Sequence, residues 1–555
     1  MAESKADEVI REIDQMQSTR GVWDNHFREV AERVRPNQNY FQQIIRPDGD
    51  KRNEKIFDDT APLALPKFAA AVISMSFPGT QIYQGLTIPD EKVANDRSVK
   101  RYLEQVVKMI FRARYSPYAG FQAQSGECIL DVGAFGTGVL FVDDMVGHGI
   151  RYKSYALAEC YIAENNYGIV DTLGRRFRWT AKQAVDEFGI KNVPKSIQEA
   201  VEKEPMKKFW FDHLVKPNKD RKMNKRDYTG MPFYSCYVAK EERVTVSEGG
   251  FRCFPFAVPR FETAAGEVYG RSPAMKVLPT IKALNEMKKT IIRAGQLVVN
   301  PPIMLTEDGS LQAFNVRSNA LNYGYVDNQG RPMAIPFETK GRVDIGLDLM
   351  NAEREAINDA FFVTLFRILV EEPQITATEA MLRAQEKGQL LAPTMGRIQS
   401  ELLGPITERE IDILQMAGVL PQMPDILVEY YQNGGEHQIE YKSPLNLAQR
   451  AGAGVAIMQT MQALAPLAQI EPKVMLRYDL EKAGMELGEI NGVPESIIRS
   501  DEEVAALADQ MAQQQQTQQL LAAAPVAAGA AKDMAQAASL AGSSPNQVAP
   551  NILPQ

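Results

Sequence analysis

Cysteine and histidine are scarce in this chain, with four of each among 555 residues. The cysteines form no CxxC pair, which indicates a reducing compartment and neither a disulfide framework nor a zinc site; they are Cys128, Cys160, Cys236 and Cys253. The histidines are equally scattered, and none lies near a cysteine; they are His26, His148, His213 and His437. This spacing favours surface or hydrogen-bonded polar roles over metal ligation, so we expect no metal site and no cofactor.

Long apolar segments are missing as well. The longest apolar runs, residues 68–77 and 361–370, are about half the ~20 residues that a membrane-spanning helix requires, and Arg367 interrupts the second. The charged N-terminal residues lack the apolar core of a secretory signal. We therefore expect neither export nor a membrane association.

Familiar catalytic motifs are absent from the sequence. The patterns GxxxxGK[ST], GxSxG and HExxH do not occur, which argues against an ATP-driven motor and against two common hydrolase classes. The glycine-rich segment 133–138 has the spacing GxxGxG and precedes a predicted strand, so we interpret it as a helix-to-strand turn that needs positive φ. The neighbouring acids Asp143-Asp144 and Glu371-Glu372 are interpreted as solvated loop charge. The sequence predicts no enzyme.

The charge balance is acidic. Lys and Arg number 62 against 70 Asp and Glu, which gives a net charge of −8 and a pI near 5.4. Proteins that grip nucleic acid usually carry a basic excess or a clustered basic patch, and the chain as a whole indicates neither. Simple DNA binding is therefore disfavoured, whereas passage of DNA without adhesion is not excluded.

The first half has the pattern of an α+β protein. Helices are predicted at residues 3–35, 61–77, 93–115, 120–133 and 180–188, the last with Thr180 as N-cap and Gly189 at its C-terminal end. Strands are predicted at residues 138–143, 149–155, 170–179, 233–238 and 243–246, with Gly249-Gly250 as a turn. Helices therefore alternate with short strands up to about residue 265.

Two long helices dominate the middle of the sequence. Apolar residues at helical spacing predict helices over 273–299 and 343–369, each 27 residues or about 40 Å long. The 43 residues between them have a strand-and-turn composition, which suggests a long arm with a small head. Later helices are predicted at 376–391, 394–417, 445–467, 473–486 and 501–521, and the Gln-, Ala- and Pro-rich residues 522–555 are expected to be disordered.

The long helices also carry charge stripes. The first has a mainly basic stripe with Lys282, Lys289 and Arg293, and the second has an acidic stripe with Asp344, Asp348, Glu355 and Asp359. Two interpretations stay open. The stripes are solvated faces of amphipathic helices, or they meet neighbouring subunits or line a passage.

Several motifs, in this order and spacing, resemble the portal or head-to-tail connector proteins of short-tailed bacteriophages. The resemblance covers roughly residues 5–500. It rests on Ile56-Phe57-Asp58, Gly136-Thr137-Gly138, residues 176–180 leading to Phe188-Gly189, residues 266–273, Asn300-Pro301-Pro302, residues 376–379 and residues 441–445. One departure is Tyr83, where the family often has Trp, and we interpret it as a packing variation.

The resemblance implies an α+β, mainly helical portal fold in a ring of twelve subunits at one capsid vertex. The implied parts are a wing (1–270 and 376–440), a stem of two helices (271–299 and 343–370), a clip (300–342), a tunnel loop (371–375), a crown (441–512) and a low-complexity tail (513–555). It implies a channel for packaging and ejecting double-stranded DNA. The implied partners are the terminase motor, scaffolding and major capsid proteins, and tail adaptor and internal core proteins. The expected location is the virion, after assembly in the host cytoplasm.

The charge of duplex DNA relates the two charge stripes to the passage of DNA through a channel. Duplex DNA carries one negative charge per ~1.7 Å, so rings of uncompensated Lys or Arg would hold it, whereas an acidic or mixed lining leaves it mobile. We expect the acidic stripe to provide negative or salt-bridged stem surface that the basic stripe partly neutralises, within or between subunits. We expect the tunnel loop to form the narrowest point; its residues are Glu371, Glu372, Pro373, Gln374 and Ile375.

Two other functions remain possible at this level. The first is a helical adaptor or scaffold protein of a large assembly, which would have no channel. The second is the packaging enzyme itself, which the missing GxxxxGK[ST] pattern disfavours.

Overall fold

The structure is a computed structural model. It describes residues 4–38, 41, 49–94, 96–145, 149–222, 224–225, 227–299, 303–305, 329, 331, 334–336, 343–364, 393–441, 454–466, 477–490, 503–511 and 513–514. The chain divides into two compact units, residues 1–483 and 484–555. Helices and strands are mixed in the first unit, as the α+β pattern predicts.

The first part of the chain supplies most of the elements. Its helices are α1 (Lys5–Val34), α2 (Thr60–Ser76), α3 (Glu91–Ala94), α4 (Arg97–Arg114), α5 (Phe121–Phe135), α6 (Ala181–Phe188) and α7 (Lys195–Lys203). Its strands are β1 (Gln84–Thr87), β2 (Leu140–Met145), β3 (Gly149–Ser154), β4 (Cys160–Glu164), β5 (Val170–Thr180), β6 (Lys208–Pro217), β7 (Phe233–Ala239), β8 (Val244–Phe251) and β9 (Phe256–Ala257). The sequence patterns missed α7, β1, β4, β6 and β9.

An antiparallel sheet with the order β4-β5-β6-β7-β8 organises this region. Because side chains alternate along a strand, Phe209 and Phe211 of β6 face the helices α6 and α7, whereas Leu214 faces α1. The predicted turn at Gly249-Gly250 is wrong. Both glycines lie inside β8, opposite Ser235 and Tyr234 of β7.

Local capping signals fix the ends of several helices. Ser4 accepts a hydrogen bond from the backbone N–H of Asp7 at the start of α1. Thr180 and Gln183 form a reciprocal capping box at α6, and the left-handed Gly189 follows its end. The prediction for 180–188 is therefore confirmed in type, position and caps.

A large hydrophobic core joins α1, α2, α4 and α5 to the small sheet β3-β2-β9 and to the helix Gly404–Met416. Fully buried aromatic rings fill this core, among them Phe27, Phe68, Phe121 and Tyr152. The N-terminal half of α1 covers the five-stranded sheet, and its C-terminal half enters the large core. One helix thus belongs to two cores.

Each of the two long helices is interrupted where its periodicity predicts one continuous helix. The first is split into α8 (Pro273–Lys276) and α9 (Leu278–Val299). Pro279 has no N–H with which to donate to the Met275 carbonyl four residues earlier, and the Val277 N–H donates to that carbonyl instead. After the paired strands β10 (Ile303–Leu305) and β11 (Ala334–Pro336), α10 spans Val343–Ala360. It is interrupted where Phe361 enters the core and Phe362 takes a φ of +57°, and residues 363–364 are helical again. Residues 365–369 of the predicted helix lie outside the described residues.

The later elements are helical, apart from β12. Residues 393–398 are helical and continue through a π-helical segment, Gln399–Leu403, into the helix Gly404–Met416, which agrees with the prediction for 394–417. The helix Asp425–Gln432 and strand β12 (Gln438–Tyr441) follow, and β12 pairs with β1. The helix predicted at 473–486 spans Leu480–Ile490 instead, because Asp479 accepts a hydrogen bond from the Lys482 N–H at its start. Residues 454–466, 503–511 and 513–514 are also helical, whereas the predicted helix 376–391 and the tail 522–555 lie outside the described residues.

Candidate functional site

The carboxylate of Asp58 ties both long helices to the body. This side chain is 2% exposed and accepts hydrogen bonds from Lys288 of α9 at 3.3 Å and from Arg354 of α10 at 2.7 Å. It also accepts from the N–H and hydroxyl of Thr60 in the first turn of α2. One buried acid therefore joins three helices, two of which are the long pair.

Asn285 of α9 completes this attachment from the other side. Its side-chain oxygen accepts hydrogen bonds from the backbone N–H groups of Phe57 at 2.7 Å and Asp58 at 3.0 Å. Its amide nitrogen donates to the Ile281 carbonyl one turn earlier in α9. Because the amide is held in one orientation, the segment 56–58 is locked to the helix backbone.

The electrostatics of Asp58 favour its ionised form. Burial by itself raises the pKa of this carboxyl, but hydrogen bonds from Thr60 and the Arg354 guanidinium outweigh burial and lower the pKa to about 2. Asp58 is therefore charged across the whole neutral and mildly acidic range.

A second junction sets the start of α8. Gly136 ends α5 with a φ of +78°, and a Cβ at this position would lie 2.2 Å from the Gly270 carbonyl oxygen. Thr137 accepts a hydrogen bond from the Gly270 N–H at 2.9 Å. Ser272 caps α8 by accepting from the Met275 N–H and donates to the Ala134 carbonyl. The turn predicted at 133–138 is thus confirmed, and it contacts the segment 266–273.

Within the chain, the basic stripe pairs with residues other than the acidic stripe. Lys282 contacts Glu29 of α1 at 2.6 Å, and Lys289 contacts Glu286 of its own helix at 3.1 Å. Arg293 is exposed and makes no ion pair with a residue that the structure describes. Within the described part of one subunit, no residue of the basic stripe therefore forms an ion pair with a residue of the acidic stripe.

The acidic stripe of α10 faces outward over most of its length. Asp348, Glu355 and Asp359 are exposed and form no ion pair within the described ranges. The side chain of Asp344 and the tunnel loop, residues 371–375, lie outside the described side chains and residues, so their placement stays a prediction.

The most deeply buried charges lie away from the long helices. Arg114 of α4 and Glu410 of the helix Gly404–Met416 form a two-point ion pair with both side chains 0% exposed. Arg114 also donates to the hydroxyl of Tyr83 and the side-chain oxygen of Gln84. The interpretation of Tyr83 as a packing variation is therefore incomplete, because its hydroxyl belongs to a buried polar network.

Two other polar predictions are resolved by the structure. Asp143 is not a solvated loop residue, since it lies on β2, where burial raises its pKa, and pairs with Arg409 at 3.1 Å. His213 is fully satisfied in the core, where it stacks on Tyr237 and shares a hydrogen bond with Ser235. Burial and nearby Arg175 lower the pKa of His213 to about 3, so it is neutral at physiological pH. Glu371-Glu372 lies outside the described residues.

A local basic cluster is hidden by the overall charge balance. Residues 216–227 contain six Lys or Arg and two Asp, a net charge of +4 inside a chain of net charge −8. A charge count over short windows would have revealed it, whereas the total composition conceals it. The expectation that the chain has no clustered basic patch is therefore wrong.

Metal-binding clusters and membrane-spanning helices are not found among the residues that the structure describes. Among these residues, no group of three or more His, Cys, Asp or Glu is arranged to hold a metal ion. No helix in the same part of the chain is long and apolar enough to cross a bilayer.

Comparison with known proteins assigns a family. Residues 6–498 match the family described as bacteriophage head to tail connecting protein. The chain belongs to this family. The family role is structural, and its members act in the virion at the junction of head and tail.

Two connector relatives match almost the full chain. The "Probable portal protein" of Bordetella phage BPP-1 is 29% identical over 90% of this chain and 89% of the relative. The "Portal protein" of Salmonella phage epsilon15 is 26% identical over 92% of both chains.

Solved structures with weaker similarity come from gene transfer agent particles. A chain in the neck of an empty particle has 12% identity and a TM-score of 0.38, covering 76% of this chain and 90% of that one. A chain in the virion of the native particle has 12% identity and a TM-score of 0.34, with 75% and 86% coverage.

Proposed function

We propose that this chain is the portal subunit of a short-tailed double-stranded DNA bacteriophage. Twelve copies form a ring at one capsid vertex, and the ring is the channel through which DNA is packaged and ejected. The family assignment over residues 6–498 and the two portal relatives support this function.

The observation that carries the proposal is the joint attachment of α9 and α10 to the body. These helices are about 33 Å and 27 Å long at 1.5 Å per residue, and they pack against each other. A stem that surrounds moving DNA must transmit load without separating from the wing. The Asp58 carboxylate and the Asn285 amide give such an attachment, since each connects a long helix to the segment 56–60.

The proposal includes an assignment of the parts of the chain, which rests on the family resemblance. Residues 271–299 and 343–370 form the stem, 300–342 the clip, 371–375 the tunnel loop, and 441–512 the crown, with the wing built from 1–270 and 376–440. The tunnel loop, with Glu371, Glu372 and Gln374, is the proposed constriction. The terminase motor, scaffolding and capsid proteins, and tail adaptor and core proteins are the proposed partners, and assembly takes place in the host cytoplasm.

The charge stripes are assigned to contacts between subunits. Exposed Arg293 of one stem and exposed Asp348, Glu355 and Asp359 of the next carry opposite charge and have no described partner in their own chain. Excess acid that remains unpaired repels phosphates and keeps the duplex mobile. Asp344 continues the same stripe toward the clip.

Electron microscopy of the purified full-length chain tests the proposal. We expect closed rings of twelve subunits with a central hole wide enough for a DNA duplex. Open oligomers or monomers without a channel would instead favour an adaptor or scaffold protein. We also expect no ATP hydrolysis by the isolated protein, and measurable turnover would contradict the structural role.

A further inference from the structure

The loop between β6 and β7 carries the basic cluster at residues 216–227. Lys219, Arg221, Lys222 and Lys225 are all exposed there. Lys219, Lys222 and Lys225 form no salt bridge with any residue that the structure describes. The loop belongs to the five-stranded sheet and not to α9 or α10, so its charge is separate from the stripes of the long helices.

The backbone of this loop is held by its own hydrogen bonds. The Lys222 N–H donates to the Thr229 carbonyl at 2.9 Å, and the Lys225 N–H donates to the Lys222 carbonyl at 3.0 Å. The Asn218 side chain donates to the Thr229 and Met231 carbonyls, and the Arg221 guanidinium donates to the Gly230 carbonyl.

Close packing of Gly230 against the backbone of Lys225 further fixes the conformation of the loop. A Cβ on Gly230 would lie 1.9 Å from the Lys225 carbonyl oxygen, so only glycine fits there. Tyr228 anchors the base of the loop by donating to Glu248, which also pairs with Lys5 of α1. The lysines are therefore presented on an ordered backbone, which reduces the entropy that a ligand must remove.

We propose that this loop binds the phosphate backbone of double-stranded DNA without sequence preference. Phosphate binding needs exposed Lys and Arg and no apolar anchor, and every exposed described residue between 219 and 227 is polar. A protein partner usually needs a buried apolar or aromatic anchor, which those exposed residues do not offer. Single strands need aromatic platforms for base stacking. None of the described residues between 218 and 227 is aromatic, and the neighbouring Tyr228 is half-buried with its ring beside Tyr234.

This inference goes beyond passage through a channel. A ring would carry one such loop on each subunit, so weak individual contacts would add together. The proposal thus assigns phosphate contacts to these loops and not to the helix that carries the acidic stripe.

The test measures binding of a fluorescent 20-base-pair duplex to the assembled full-length protein over a range of salt concentrations. The variant K219Q/K222Q/K225Q removes three charges and keeps Arg221, which is needed for the loop backbone. We expect weaker binding, and a salt slope reduced by about 0.9 for each lysine that contacts a phosphate. The matched control, K182Q/K191Q/K195Q, removes three exposed lysines near α6 and α7 and should bind as the unmodified protein does.

Three results would overturn the proposal. They are unchanged binding by the loop variant, an equal loss in the control, or displacement of the duplex by polyglutamate as efficiently as by unlabelled duplex. Electron microscopy of the same samples separates this proposal from the proposed function. Intact rings that bind no duplex at the loop would refute the loop assignment and leave the portal function standing.

Discussion

At Asp58, one carboxylate accepts hydrogen bonds from side chains on both long helices and from Thr60. Substitution of Asp58 by Asn removes the negative charge that Lys288 and Arg354 share. It also replaces one accepting oxygen by an amide nitrogen, whose two N–H groups cannot accept hydrogen bonds from these cations. We expect a loss of about 1–3 kcal/mol in unfolding free energy, since both cations are one-third exposed and retain some water.

Urea unfolding of D58N beside the unmodified protein measures this loss. The exposed neighbour Asp59, whose side chain makes no capping bond, provides the matched control D59N, which should change stability by less than about 0.5 kcal/mol. Equal effects of the two substitutions would contradict a specific role of Asp58.

The same residue predicts a pH dependence. Its folded pKa of about 2 lies below the unfolded value of about 3.9, so its contribution is present above about pH 4 and is lost as pH falls through 2. The stability difference between the unmodified protein and D58N should therefore shrink from about 2 kcal/mol at pH 7 as the pH approaches 2. Unfolding measured at pH 7, 4 and 2.5 checks this, and a difference that grows on acidification would contradict it.

The buried pair Arg114–Glu410 predicts a larger effect. Substitution of Glu410 by Gln leaves the fully buried Arg114 charge without its counter-ion, and we expect a loss of about 3–5 kcal/mol. Glu408 is exposed on the same helix, so E408Q is the control and should be nearly neutral. The double variant R114M/E410L should recover only part of the loss, because it removes both desolvated charges but leaves the buried Tyr83 and Gln84 without the Arg114 donor. Thermal unfolding of the unmodified protein and the three variants measures these differences in stability. A small loss of stability in E410Q would contradict the prediction.

At the scale of the element, the junction of α5 with α8 depends on backbone proximity. Substitution of Gly136 by Ala would place a methyl group 2.2 Å from the Gly270 carbonyl oxygen at a φ of +78°. We expect G136A to displace the start of α8 and to reduce the yield of folded, ring-forming protein strongly. Electron microscopy and gel filtration report both outcomes.

The control for this variant is Gly21, which lies within α1 and has open space around its Cβ position. G21A should stabilise the protein by about 0.5–1 kcal/mol, because alanine loses less backbone entropy in a helix than glycine does. If G136A forms normal rings, the contact between the end of α5 and the start of α8 is not required for assembly, and the prediction is contradicted.

The sequence predicted elements best where their signals are local. The α6 helix was placed correctly because Thr180, Gln183 and Gly189 define its ends within ten residues. The end of α10 was missed because it depends on Phe361 packing in a core formed by distant parts of the chain. The break at Val277 was missed although Pro279, two residues later, is a local signal for a helix interruption.

The candidate site was predictable in part. The segment 56–58 was noticed through family resemblance alone, and nothing near it indicates its partners, since Lys288 and Arg354 lie 230 and 296 positions later. The basic loop at 216–227 was missed for another reason, because the total charge of the chain hides it.

At the scale of the whole molecule, the acidic stripe predicts how the ring depends on salt. The variant D348N/E355Q/D359N removes the proposed counter-charges of Arg293 on the neighbouring subunit. We expect fewer closed rings at low salt and a weaker response of assembly to added salt, because exposed pairs are screened by ions.

Analytical ultracentrifugation between 50 mM and 500 mM salt measures this equilibrium. The control D186N/E199Q/E202Q makes the same charge change on exposed positions of α6 and α7 and should assemble normally. Identical behaviour of both variants would refute an intersubunit role for the stripe and favour a solvated face.

The position of α1 in two cores has a consequence for biosynthesis. This helix is synthesised before the sheet that it covers, yet its ion pair from Lys5 reaches Glu248, and its Arg20 side chain donates to carbonyls near residue 160. At about 5–20 residues per second, a ribosome needs roughly 10–50 s to reach β8 after finishing α1. During that interval the apolar face of α1 has no sheet to cover, and nascent chains are exposed to association through it. The face of α1 that covers the sheet thus stays unburied until β8 has been synthesised.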